Sequence, residues 1–168
     1  PSEMGGPGDL NLLYLLAEDC EATRVIETGV AYGWSSLALL LSLDGREGSR
    51  LVSIDMPYVK RGTEDFVGCA VPDRLRASWT LLRLADQDAL QGAIAELGGL
   101  DLCHYDSDKS YVGRMWAYPR LWRALRSGGW FVSDDIQDNV AFRNFAESLR
   151  IAPLIVECGG KFVGVIQK

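Results

Sequence analysis

Histidine occurs once, at His104, and the four cysteines, Cys20, Cys69, Cys103 and Cys158, form no C-x-x-C pair. Zinc fingers and thiol redox motifs need such spacing, so both are excluded. All four cysteines read as buried free thiols, two of them inside strand-like runs, which points to a reducing, cytoplasmic setting. No apolar run approaches the roughly 18 residues of a membrane helix, so no membrane association is expected. Pro1-Ser2-Glu3 carry neither the basic nor the apolar stretch of a leader, and the missing initiator Met reads as trimming. Lys and Arg number 17 against 23 Asp and Glu, a net charge of -6 without basic clusters. That balance excludes a phosphate-neutralising nucleic-acid surface and leaves a small molecule as the expected partner. There is no internal repeat, low-complexity tract or linker. With 48% hydrophobic residues, the 168-residue chain can bury one good core and is short for two, so 1–168 is read as one domain.

Short apolar runs of β character alternate with helical segments, the pattern of a doubly wound α/β sheet. Strands are predicted near 24–28, 51–55, 80–84, 101–105, 130–133, 153–157 and 162–167, with helices near 9–18, 34–43, 87–97, 112–126 and 139–150. The last two strands read as an antiparallel hairpin turned by Gly159-Gly160. The result is a Rossmann-like, seven-stranded sheet with a reversed C-terminal strand pair. Residues 56–78, with Pro57, Gly62, Gly68 and Pro72, are too long for a plain connector and are read as a lid insertion.

The first strand runs into Glu27-Thr28-Gly29-Val30-Ala31-Tyr32-Gly33-Trp34-Ser35, where an apolar run breaks at an acidic, glycine-spaced turn and resumes as a helix. Gly29 and Gly33 would let the backbone pass close to a ligand. A dinucleotide fingerprint needs a third glycine, G-x-G-x-x-G, and Glu27 would repel a pyrophosphate. A cationic, amino-acid-like ligand suits the turn better. Tyr32 and Trp34 flank it and could edge the pocket, whereas Trp116 and Trp122 read as helix-packing residues.

Ligands of open parallel sheets sit at the carboxyl ends of the strands. Five strands of this chain end in acids: Glu27, Asp55, Asp86, Asp106 and the pair Asp134-Asp135. Any one of them could be a helix cap, but five aligned in this way point to a site. Asp55 could hold a ribose diol; Asp86 or Gln87 could hold an adenine edge, unless Asp86 is a helix N-cap. Asp106, Asp134 and Asp135 would converge, and an all-oxygen set favours a hard ion such as Mg²⁺ or Ca²⁺. Lys109 stands at the rim of that cluster. Desolvated beside a metal it could lose its proton well below about 10.4 and act as base, or it could be a plain ion-pair partner of Asp106 or Asp108. His104 is either a packed strand residue or a pocket residue that orients substrate or takes a proton.

Glu27-x-Gly29-x-x-x-Gly33 resembles the first motif of class I S-adenosylmethionine (SAM)-dependent methyltransferases. Together with Asp55, Asp86-Gln87, Asp106-x-x-Lys109 and Asp134-Asp135 it resembles the metal-dependent O-methyltransferases of the catechol and caffeoyl-coenzyme A type. Asp106-Ser107-Asp108-Lys109-Ser110-Tyr111, Leu125-Arg126-Ser127-Gly128-Gly129-Trp130 and Ser133-Asp134-Asp135 are similar to the macrolide sugar O-methyltransferases. This resemblance implies O-methylation of a small hydroxylated molecule. It implies SAM contacts from Glu27, Gly29, Gly33, Ser35, Asp55, Asp86, Gln87 and Asp106, with Ser2-Glu3-Met4-Gly5 as a further cofactor-contacting segment. It implies Mg²⁺ on Asp106, Asp134 and Asp135, and Lys109 as base, with Asp106 and His104 beside it. A metal-free methyltransferase, a noncatalytic adenosyl-binding module and a nicotinamide oxidoreductase are the alternatives, the last opposed by the missing glycine. A homo-oligomer is compatible with all of them.

Overall fold

The computed structural model of the chain describes Met4, Gly6 and residues 8–57 and 64–168. Seven strands form one sheet: β1 (Arg24–Thr28), β2 (Arg50–Ile54), β3 (Trp79–Leu82), β4 (Leu100–Tyr105), β5 (Leu125–Ser133), β6 (Leu154–Cys158) and β7 (Lys161–Gln167), in the order β3-β2-β1-β4-β5-β7-β6. The first five run parallel; β7 pairs antiparallel with both β5 and β6, which is the expected reversed pair. Successive side chains of a strand face opposite sides. Thus Ile26, Val52 and Phe131 enter one core with α3 (Asp86–Leu97), α4 (Tyr111–Ala124) and α5 (Ala141–Leu149). Val25, Leu51 and Val132 enter a second core with α1 (Leu10–Asp19) and α2 (Trp34–Leu43). Strand order reverses between β1 and β4, which opens a crevice at their carboxyl ends.

At the opposite end of the sheet, Asp101 is buried and ties the start of β1 to β4 and β5. Its Oδ2 accepts from Thr23 N at 2.9 Å, Thr23 Oγ1 at 3.0 Å and Arg24 N at 2.8 Å, while Oδ1 accepts from Arg126 Nε at 2.7 Å. Burial alone would push its carboxyl up, but these donors bring it down to about 2.

Several boundaries differ from the sequence reading. Strand β5 starts at Leu125 rather than 130, and α4 ends at Ala124, because Ser127-Gly128-Gly129 disfavours helix and the C-terminus pairs with it. Gly128 N donates to Lys168 O at 2.6 Å and Lys168 N to Gly129 O at 3.0 Å. Strand β3 stops at Leu82 because Arg83 turns to Asp55. All four cysteines are free, yet only Cys20 and Cys103 are buried: Cys158 on β6 is half-buried and Cys69 is exposed. Of the expected lid, residues 58–63 lie outside the described residues. Past them, 64–78 forms two 3-10 turns, Glu64–Phe66 and Asp73–Ser78, and packs on the glycine turn, where Gly68 N donates to Ala31 O and Ala70 N to Tyr32 O, both at 2.9 Å.

Candidate active site

A cavity of about 220 Å³ occupies the crevice at the carboxyl ends of β1 and β4. Its walls come from the turn after β1 (Gly29, Tyr32), the start of α2 (Trp34, Ser35), the turn after β4 (Asp106, Lys109), His104 and Asp134. Tyr32 and Trp34 thus stand where the sequence placed them. Met4 also lines the cavity, while Ser2, Glu3 and Gly5 lie outside the described residues. None of the described residues of 64–78 lines it.

The two glycines of the turn are needed against protein backbone. Gly29 has φ +82, and a Cβ there would stand 2.3 Å from Asp106 O; Gly33 has φ +86, and its Cβ would stand 2.8 Å from Gly68 Cα. Close approach is the reason for both, as expected, but the neighbour is the next loop and not open ligand space. Asp55 does not line the cavity. Its Oδ2 accepts from Val30 N at 3.0 Å and Ala31 N at 2.9 Å, and its Oδ1 pairs with Arg83 at 3.2 Å, so it pins the glycine turn from behind. Burial nevertheless pushes its carboxyl up. Glu27 is buried beneath the same turn, accepting from Ser36 Oγ at 2.5 Å and Ser53 Oγ at 2.7 Å.

Asp86 opens α3, but the N-cap is Ala85, without a side-chain bond; the Asp86 carboxylate accepts instead from Ser107 Oγ, which also sits 2.9 Å from Thr28 Oγ1. Burial raises Asp86 as well. The helix-cap alternative for this residue is therefore corrected. Gln87 is exposed on the first turn of α3, and neither residue lines the cavity.

On the β4–β5 side, Asp106, Asp134 and Asp135 each offer an oxygen, all within 4.8 Å of one another. Lys109 Nζ is 2.9 Å from Asp106 Oδ1 and also bonded to Asp135 Oδ2; Lys161 Nζ is 3.1 Å from Asp135 Oδ1. Asp108 is not Lys109's partner: its Oδ1 accepts from Ser110 N at 2.9 Å, ahead of the Ser110 cap of α4. Burial would lower Lys109, but the two carboxylates outweigh it and hold the ammonium well above the ordinary lysine value. Burial pushes Asp106 up, against His104 and Lys109, whereas Lys109 and Lys161 overcome burial to lower Asp135. His104 is buried with Nδ1 3.5 Å from Glu27 Oε1, an ion-pair separation rather than a hydrogen bond. Burial disfavours its charge, but Glu27 prevails and raises it. His104 is thus packed in its strand and also reaches the cavity wall.

Sequence reasoning missed Lys161 and Arg83. Lys161 was findable: it follows Gly159-Gly160 and opens the strand antiparallel to β5, so it arrives at the sheet end where Asp134-Asp135 emerge.

The family model described as a methyltransferase domain matches residues 26–136. Among solved structures, an O-methyltransferase from Bacillus cereus in complex with SAH is 16% identical, with TM-score 0.70 over 100% of this chain and 84% of its own. The O-methyltransferase TomG from Streptomyces achromogenes, involved in tomaymycin synthesis and in complex with SAM, is 19% identical with TM-score 0.72 over 100% and 83%. A cofactor-bound protein from MTB is 18% identical with TM-score 0.76 over 99% and 83%. No curated protein matches the sequence. On the family match and the sheet order, the chain belongs to the methyltransferase-domain family and has the class I SAM-dependent methyltransferase fold.

Proposed function

We propose that the chain is a SAM-dependent O-methyltransferase acting on a small hydroxylated molecule, with a divalent cation such as Mg²⁺ held by Asp106, Asp134 and Asp135. The observation that carries this reading is the convergence of those carboxylates within 4.8 Å, with Asp106 and Asp134 on the wall of the cavity and Asp135 directly behind them. Three oxygen donors without His or Cys fit a hard ion. Such an ion, when bound, lowers the pKa of an acceptor hydroxyl.

The chain's own residues supply the rest. Gly29, Ser35 and Asp106 line the cavity for the cofactor; Glu27, Gly33 and Asp55 hold the turn that shapes it; Asp86 and Gln87 serve the adenine end. Acidic walls favour the cationic sulfonium, which loses its charge in the reaction, so they strengthen cofactor binding more than they lower the barrier. Rate then comes mainly from holding methyl and acceptor oxygen in line. Lys109 is the amine placed to take the acceptor's proton, with His104 behind it. Its proton affinity falls only when Asp106 and Asp135 turn to another partner.

We assign this role to residues 1–168 acting as one domain, with 56–78 as a lid insertion whose residues 64–78 pack beside the glycine turn. No helix among the described residues is long and apolar enough to cross a membrane. Four free cysteines accord with the cytoplasm, and the acidic balance with a small-molecule partner rather than nucleic acid. Leu154 and Ile155, exposed on the outermost strand β6, accord with a homo-oligomer. A metal-free methyltransferase is the second reading, favoured by Lys109 and Lys161 already neutralising the cluster.

Calorimetry with SAH, Mg²⁺ and a catechol probe on wild type and Asp134→Ala separates these readings. SAH should bind both proteins, and the probe only wild type with Mg²⁺. Probe binding indifferent to Mg²⁺ favours the second reading; absence of SAH binding refutes both.

A further inference from the structure

Arg114, in the first turn of α4, is 1% exposed and heads the fully buried side chains by volume. Arginine is seldom buried so completely unless its charge is used. Its Nη2 donates to two successive backbone carbonyls, Asp134 O at 3.2 Å and Asp135 O at 2.9 Å, and stands 3.8 Å from Asp138 Oδ2. Its Nε and Nη1 have no hydrogen-bond partner among the described residues. Arg114 does not line the cavity, so it meets the acidic turn through backbone oxygens rather than through the carboxylates that face the site.

The turn needs such support. Asp135 has φ +49 and ψ +42, a left-handed conformation that a non-glycine residue adopts against its local preference. Three carboxylates gathered within 4.8 Å also repel one another, and relaxation of this turn would carry Asp135 away from Asp106. Within the turn, Asp135 N donates to Asp134 Oδ1 at 3.0 Å and Gln137 Nε2 to Asp135 Oδ1 at 3.3 Å, which tie up oxygens of the cluster, and Asp138 N donates to Asp135 O at 3.2 Å, which holds one carbonyl without linking it to the other. One charged donor shared by both carbonyls does fix them, and charge-assisted hydrogen bonds are the stronger kind.

We propose that Arg114 is a positioning residue for the cation site: by clamping the Asp134 and Asp135 carbonyls it keeps both carboxylates aimed at Asp106 and so sets the site's affinity for a divalent cation. This rests on the metal reading above. Because the clamp acts on the β5 turn and not on the glycine turn, it should bear on the cation and leave the adenosyl ligand alone.

The test is calorimetric titration of Mg²⁺ and, separately, SAH into wild type, Arg114→Met and Arg114→Lys, each checked for folding by circular dichroism. Arg114→Met should bind Mg²⁺ at least tenfold more weakly with SAH affinity within twofold of wild type. Arg114→Lys, which keeps the charge and part of the donor capacity, should recover part of the loss. If Arg114→Met does not fold, the lysine variant alone decides: weakened Mg²⁺ with unchanged SAH supports the proposal. Unchanged Mg²⁺ affinity, or equal losses of Mg²⁺ and SAH affinity, overturns it, as does failure of both variants to fold. A wild type that binds SAH but no Mg²⁺ removes the metal reading and this inference together; a wild type that binds Mg²⁺ as well as its variants do removes only the inference.

Discussion

Replacing Asp101 by Asn removes one charge from a buried junction while nearly keeping its shape. The folded carboxyl lies at about 2 against an ordinary 3.8, and each unit is worth about 1.36 kcal/mol, so the ionised form contributes about 2 kcal/mol near neutral pH. Five donors converge on its oxygens: Thr23 N, Thr23 Oγ1, Arg24 N, Arg24 Nη2 and Arg126 Nε. An amide can accept through only one atom and presents its own N–H groups to the rest, so the variant should lose about 2–3 kcal/mol at pH 7. At roughly 2–4 °C per kcal/mol for a chain of this size, that is a fall of about 4–12 °C in Tm. The folded value lies below the unfolded one, so the stabilisation is complete above about pH 5 and fades as pH falls toward 2. Urea melts of both proteins at pH 7, 5 and 3 should therefore show a gap that narrows on acidification. A gap that stays constant with pH would refute the charge argument, and no gap at pH 7 would refute the junction itself. SAH affinity of the folded variant should be unchanged, because Asp101 stands at the far end of the sheet from the cavity.

Gly29→Ala should cost SAH at least tenfold in affinity, since φ +82 and a Cβ 2.3 Å from Asp106 O force the two loops apart; calorimetry reads it. Gly164→Ala puts a Cβ 2.3 Å from the Phe142 ring, an overpacking that should cost about 1–3 kcal/mol in a denaturant melt without touching the cavity. Lys161→Met removes a cation from Asp135 and should tighten Mg²⁺ binding while SAH binding stays the same; weaker Mg²⁺ binding would show that Lys161 supports the cation site instead of competing for it.

The sheet was legible because its central strands bury both faces: Val25-Ile26 and Leu51-Val52 read as apolar runs, and an acid marks the carboxyl end of each strand, Glu27 as the last residue but one of β1 and Asp55 just past β2. The reversed pair was legible from Gly159-Gly160 between the runs Ile155-Val156-Glu157 and Phe162–Ile166, together with the family resemblance. What escaped was what depends on a second segment. Asp55 was placed at a strand end correctly, but nothing local says that Val30 N, Ala31 N and Arg83 converge on it. The glycine turn announced close approach without saying to what, because Asp106 and Gly68 are remote in sequence. Lys109 could be set beside Asp106 by its spacing, yet its charge state depends also on Asp135, delivered by the next strand. The early start of β5 reflects pairing with the C-terminus, which a local reading of Leu125-Arg126-Ser127 cannot contain.

The most direct test of the central claim is methyl transfer from isotope-labelled SAM to a catechol probe, followed with Mg²⁺ and with a chelator, for wild type and Asp134→Ala. Label should be recovered as an O-methyl ether only with Mg²⁺, and should be lost in the variant although SAH still binds. Transfer at the same rate in the chelator would contradict the role given to Asp106, Asp134 and Asp135, and label recovered on carbon or nitrogen of an acceptor that offers them would contradict O-methylation.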